Sequence, residues 1–144
     1  AERVAALARR LRFSKAEADA LTGWAAVPAP SSTLEGAEFE RLLYRAGSGG
    51  IERRLKLALA AARIHASVDD EALKAAAGYQ RLLDILDRWE RPVFPLRGKD
   101  LLNHGFTPGE AMGAALNRLE EAWIASGFKL GREELLEMLE DRRP

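Results

Sequence analysis

The sequence predicts an all-α fold: an irregular multi-helix bundle of about seven helices with no sheet. Three observations predict it. Apolar residues recur at a helical period in nearly every segment, no stretch alternates as a half-buried strand does, and Gly, Pro and cap-forming residues punctuate the chain at helix-length intervals. The 144 residues suffice for a real core.

Val4, Leu7, Ala8 and Leu11 form the first stripe. Ser14 with Glu17 makes a capping-box pattern that opens a second helix towards Trp24. That helix stops before Pro28 and Pro30, and a Pro/Ser linker runs from Pro28 to Thr33. Phe39, Leu42, Leu43 and Ala46 mark a third helix, which Gly47 closes as a C-terminal cap. After Ser48-Gly49-Gly50, Ile51, Leu55, Ala58, Leu59 and Ala62 share one face, while Arg53, Lys56 and Arg63 point elsewhere. Residues 67–70 supply caps and early acids for a helix with Ala76, Tyr79, Leu83 and Leu86 inward, ended by Pro92 and Pro95.

A short helix is predicted from Lys99 to His104. Thr107-Pro108 reads as an N-cap with Pro in the first helical position of the next helix. Met112, Ala115, Leu116, Leu119 and Trp123 line that helix, and Gly127 ends it. Leu135, Leu136 and Leu139 mark the last. Leu42, Leu55, Leu83, Leu116, Leu119 and Trp123 are expected to be buried. The best sub-boundaries are Pro28–Thr33 and Pro92–Gly98, which gives a body-like segment 1–92 and a tail-like segment 93–144, expected together to form one compact unit.

Composition excludes several classes. There is no cysteine, hence no disulfide framework, thiol nucleophile or Cys-type zinc site, and a reducing cytoplasm fits. No apolar run is long enough to span a bilayer, so no membrane partner is expected. The first residue is Ala and no signal peptide is visible, so the chain is expected to start inside a longer protein. His65 and His104 lie far apart, each without a ligand partner one turn away, and no metal site is expected. Asp69-Asp70-Glu71 reads as complement to a helix dipole.

Net charge is zero, yet residues 1–66 hold eleven Lys or Arg against seven acids, and residues 105–144 hold five against eight. Two Gly-rich turns precede helices, Gly47-Ser48-Gly49-Gly50 and Arg97-Gly98-Lys99-Asp100. Free N–H groups at such helix starts can hold phosphate. Neither turn has the order of a nucleotide P-loop.

The run Phe94 to Phe106, with Pro95-Leu96, Gly98, Asp100-Leu101 and Gly105, continues through Pro108-Gly109, Gly113, Leu116, Leu119, Glu120, Trp123 and Gly127. It resembles a signature near the C-terminus of bacterial CCA-adding tRNA nucleotidyltransferases and their poly(A) polymerase relatives. Arg41-Leu42-Leu43-Tyr44-Arg45-Ala46-Gly47 is similar to a second stretch of that family. Glu110 departs from the signature, where many members have Pro. In the signature, Gly98 is read as permitting a tight turn, Asp100 as a helix cap, and Gly113 as letting another backbone approach.

The resemblance implies a tRNA-binding C-terminal helical domain that positions the acceptor stem and elbow for a catalytic head. It implies Mg²⁺ and ATP or CTP for that head. It names tRNA and the N-terminal head and neck of the same parent chain as partners. No Asp-x-Asp pair for such a metal site occurs in the sequence. Residues 140–144 are similar to the family's base-selecting helix, but Pro144 stands where its Arg is required. No catalytic residue is therefore assigned.

The candidate RNA contacts are Arg41, Arg45, Arg53, Arg54, Lys56, Arg97 and Lys99, all basic and beside helix starts or exposed faces. Replacing Arg53, Arg54 and Lys56 together with Ala is expected to weaken tRNA binding at little cost in stability. The rival class is an all-helical protein-interaction or scaffold domain without nucleic acid, which the zero net charge favours. A complete small enzyme lacks any supporting constellation.

Overall fold

The computed structural model describes residues 2–27 and 30–140, without the side chains of Glu2, Arg3 and Glu140. Pro28 of the expected linker and residues 141–144 of the expected base-selecting helix fall outside the described residues. Within them the fold is all-α, with eight helices and no strand. No helix among them is long and apolar enough to cross a membrane. The chain divides into two compact units, Ala1–Glu90 and Arg91–Pro144.

The first unit holds α1 (Glu2–Arg10), α2 (Lys15–Ala26), α3 (Gly36–Ala46), α4 (Ser48–His65) and α5 (Asp70–Arg88). Helices α4 and α5 pack along one another as a hairpin, and α3 closes the core over both. Ile51, Leu55 and Leu59 follow each other at one-turn spacing on α4 and are buried against Phe39 and Leu43 of α3 and Ala76, Leu82 and Leu83 of α5. Each such leucine contributes about 1.5–3 kcal/mol by leaving water. Leu42 is only half-buried, because the inward line of α3 runs through Phe39 and Leu43 and leaves Leu42 on its flank.

Helix starts follow the cap residues. Ser14 and Glu17 form the expected capping box, with Glu17 Oε2 accepting the Ser14 N–H at 2.8 Å. Asp69 caps α5 by accepting the Glu71 N–H at 2.9 Å. Gly47, at φ 79°, both ends α3 and precedes α4. Helix α4 begins at Ser48, three residues before Ile51, so Gly49 and Gly50 are its first turn rather than a loop.

The second unit holds α6 (Gly98–Leu102), α7 (Glu110–Ala125) and α8 (Arg132–Glu140). Ala115, Leu119 and Trp123 form the buried line of α7, with Leu116 half-buried beside it. Trp123 meets Phe94 at 5.4 Å and Phe128 at 5.0 Å between ring centroids, geometries that favour edge-on contact. Helix α7 begins at Glu110 with Gly109 at its cap, φ 155°, so Thr107 and Pro108 precede the helix instead of opening it. Nothing lies within 4 Å of where a Cβ on Gly113 would sit, so no backbone approaches there. Gly98 lacks the positive φ of a tight glycine turn and serves as the first residue of α6.

Gly78, inside α5, is where a close approach is found. A Cβ there would stand 2.3 Å from the carbonyl oxygen of Ser32. Arg81 Nη2 donates to the Leu34 carbonyl at 2.7 Å and holds the same connector. Gly78→Ala sets two effects against each other: helix propensity favours Ala by about 1 kcal/mol, while the backbone clash costs about 1–3 kcal/mol. The clash is with backbone and cannot be relieved by a rotamer change. A lower melting temperature is expected for Gly78→Ala, and thermal denaturation followed by circular dichroism checks it; a rise would show that the connector yields freely.

Candidate nucleic-acid interface

The signature residues of the second unit fold around one carboxylate. Asp100 is 2% exposed, the one buried charged side chain among the described residues. It stands in the first turn of α6, and Oδ2 accepts the Arg97 backbone N–H at 2.7 Å. Oδ1 accepts from Arg132 Nη1 at 2.8 Å, which ties α6 to the first residue of α8. The Asp100 carbonyl is paired with His104 Nδ1 at 2.8 Å. These contacts favour the ionised acid. The Arg97 N–H foremost, then Arg132 and Lys99, hold the Asp100 carboxyl below its ordinary value of 3.8.

This lock explains the signature's shape. The Arg97 and Lys99 side chains stay exposed on either side of a turn whose backbone is pinned from inside. Neither has a hydrogen bond or ion pair among the described residues. Sequence reasoning identified Asp100 as a cap but missed Arg132. An arginine at the start of a helix 32 residues later carries no sequence mark of its partner.

The five basic candidates of the first unit divide by environment. Arg41 is half-buried and Arg45 exposed, and both already take part in polar or electrostatic contacts. Lys56 pairs with Glu52 at 2.6 Å, an exposed one-turn pair. That pairing raises the Lys56 pKa and lowers that of Glu52. Arg54 departs most from expectation. Its Nη2 donates to the carbonyls of Trp24 at 3.3 Å and Ala25 at 3.0 Å, and its guanidinium carbon lies 4.5 Å from the Trp24 ring centroid. It therefore caps the C-terminal end of α2 and stacks on an aromatic face. Its removal costs packing and satisfied carbonyls, contrary to the expectation of a cheap substitution. Arg53 is exposed, lines the cleft beside Trp24 and makes no hydrogen bond or ion pair among the described residues, while its charge acts on Glu52.

Among the described residues, no three His, Cys, Asp or Glu side chains gather as metal ligands would. The described residues thus offer no such gathering for the Mg²⁺ centre that the family resemblance implies for a catalytic head.

Comparison with known proteins gives local similarity to CCA tRNA nucleotidyltransferases. The chain is 40% identical over 62 residues to CCA tRNA nucleotidyltransferase 1, mitochondrial, of Danio rerio. It is 37% identical over 59 residues to the proteins of the same name from Mus musculus and Homo sapiens. The matched segment is 43% of this chain for the first and 41% for the other two, and 14% of each relative's length. No protein-family model matches the chain, and no solved structure matches it. The local similarity supports a relationship to the CCA tRNA nucleotidyltransferase family.

The Asp100 lock generates an ordering of variants. Asp100→Ala orphans both the Arg97 N–H and Arg132, whereas Arg132→Ala leaves Asp100 its backbone bond and removes a side chain that is half in water. The melting temperature is expected to fall further for Asp100→Ala than for Arg132→Ala. Because folding lowers the Asp100 pKa, its contribution is full above the ordinary value of 3.8 and is lost as pH falls through the folded-state value. The gap between wild type and Asp100→Asn should therefore be wide at pH 6 and shrink in acid, as thermal melts across pH will show.

Proposed function

We propose that this chain is the C-terminal, tRNA-binding helical part of a tRNA nucleotidyltransferase, either CCA-adding or poly(A)-synthesising. In this reading it holds the acceptor stem and elbow while a catalytic head, not contained in these residues, adds nucleotides. The observation that carries the reading is the 37–40% local identity to enzymes of that name. The pinned turn with exposed Arg97 and Lys99 supports it, because duplex RNA is recognised through backbone and shape and needs cations held at fixed positions. Mg²⁺ and ATP or CTP belong, in this reading, to the head.

One observation favours the rival, a protein-interaction bundle. Leu57 and Ile64, two turns apart on α4, are 60% and 73% exposed, and Val68 just beyond is 86% exposed. An apolar line of this kind is where a partner protein would sit.

Binding of tRNA that weakens steeply with salt is expected of the purified chain, because each phosphate contact releases counterions. Arg97→Ala and Lys99→Ala should each reduce the slope of log affinity against log salt by about one unit. Their cost in stability should stay within about 0.5 kcal/mol, as both are exposed. Fluorescence anisotropy with labelled tRNA at stepped salt concentrations measures the slope. Absence of binding at low salt would favour the rival.

A further inference from the structure

Arg97 and Lys99 stand on a segment too short to hold itself. Helix α6 has five residues, far fewer than an isolated helix needs in water. Leu96 and Leu101, 4% and 0% exposed, anchor it from either side, but apolar burial is non-directional. Direction comes from hydrogen bonds, and Asp100 holds both backbone groups of Arg97. The Arg97 N–H donates to Asp100 Oδ2 at 2.7 Å, and the Arg97 carbonyl accepts the Asp100 N–H at 2.9 Å. The first of these depends on where the carboxylate points.

Arg132 aims it, with Nη1 donating to Oδ1 at 2.8 Å. The two carboxylate oxygens are thus drawn to two fixed donors. Arg132 is itself a firm post. It starts α8, whose Leu135 and Leu139 are buried, and Glu134 Oε2 accepts the Gly131 N–H at 2.6 Å to close that helix start. Without the guanidinium, Oδ1 is left buried and short of a partner, and the carboxylate gains by swinging towards water. The bond to the Arg97 N–H then shifts or breaks, and the turn moves with it.

Arg132 is poorly placed to hold a phosphate directly. Its side chain is half-exposed, yet the surface recess beside it is lined by Glu133 and Glu134, and its nearest opposite charge is Asp100. We propose that Arg132 is a positioning residue for RNA binding: by aiming the Asp100 carboxylate it sets the turn that carries Arg97 and Lys99, and it does not itself touch phosphate. This rests on the tRNA-binding reading above and adds to it a residue that acts on the RNA contacts through the fold.

The test is a double-mutant cycle on the whole 144-residue chain, read by fluorescence anisotropy of labelled tRNA at stepped salt concentrations. Arg132→Ala should weaken binding about threefold or more, near the low end of coupling between side chains of one network. In a chain already carrying Arg97→Ala and Lys99→Ala, the same change should alter neither affinity nor salt slope, because no cation remains on the turn to be positioned. Arg132→Lys keeps a charged donor for Asp100 and should recover most of the binding. Circular dichroism melts establish that each variant is folded at the binding temperature. Wild-type affinity in Arg132→Ala overturns the proposal, since Leu96 and Leu101 would then suffice to place the turn. So does a loss of about one unit of salt slope in both backgrounds, which would make Arg132 a phosphate contact. Arg132→Lys that melts as wild type does but binds no better than Arg132→Ala also overturns it. If wild type binds tRNA and Arg132→Ala is silent, the tRNA reading stands alone. If wild type does not bind tRNA at low salt, that reading falls and takes the proposal with it.

Discussion

A helix leaves four N–H groups at its start and four carbonyls at its end without partners, and a fold of short helices multiplies that cost. Here the solutions repeat. Three helices begin with an acid in the first turn whose carboxylate accepts the N–H of the residue at the cap: Glu17 to Ser14, Asp100 to Arg97, and Glu134 to Gly131 at 2.6 Å. Three end on a residue with positive φ followed by a phenylalanine whose N–H reaches back to a carbonyl five residues earlier. Arg12 precedes Phe13, bonded to Ala8; Gly105 precedes Phe106, bonded to Leu101; Gly127 precedes Phe128, bonded to Trp123. The same bond closes each end, and at α7 it brings the following ring onto the helix it terminates. The Trp123–Phe128 contact is its product.

End-closing also accounts for the residues that look functional in sequence. Asp100 and Gly105 of the family-like signature belong to the two ends of α6. Arg54 serves the carbonyls at the end of α2. Its Nε is buried without a partner, so the interaction gives up one donor to gain two carbonyl contacts and a stacked ring. That exchange stabilises only if the ring stays in place. The indole and the guanidinium thus depend on each other, and Arg53, one residue earlier on α4, is left free to face the cleft. Neighbouring arginines on one helix turn have opposite employments because successive residues point about 100° apart.

Periodicity made the helices legible because burial on one face demands it. The stripes of α4 and α5 carry the core, and Ser14–Glu17 and Gly47 mark real ends. Single-residue errors arose where a stripe is wider than the buried line, as at Leu42 and Leu116, or where glycines tolerate a helix they do not favour, as at Gly49 and Gly50. Pro108 fits a helix start by its own geometry, but Gly109 at φ 155° delays the helix by two residues. The candidate interface was less legible. Exposure of Arg97 and Lys99 could be read locally, while the partnering of Asp100 with Arg132 and of Arg54 with Trp24 spans about thirty residues in each case. Such contacts depend on how the helices are assembled, which a linear pattern does not encode.

The neutral total charge is a poor guide to this surface for the same reason. Acids are consumed where helices start: Glu17, Asp69, Asp100 and Glu134 all accept backbone N–H bonds. There each negative charge faces the positive end of a helix dipole, worth roughly half an elementary charge, and its outward field is reduced. Glu52 and Glu71 are taken up by Lys56 and Lys74. In the first unit Arg9 and Arg12 line one cleft and Arg53 another, and in the second unit Arg97 and Lys99 flank the pinned turn, all five without a hydrogen bond or ion pair among the described residues. Equal numbers of acids and bases are therefore compatible with locally basic surface within either unit, because several acids are placed at helix starts and not beside these cations.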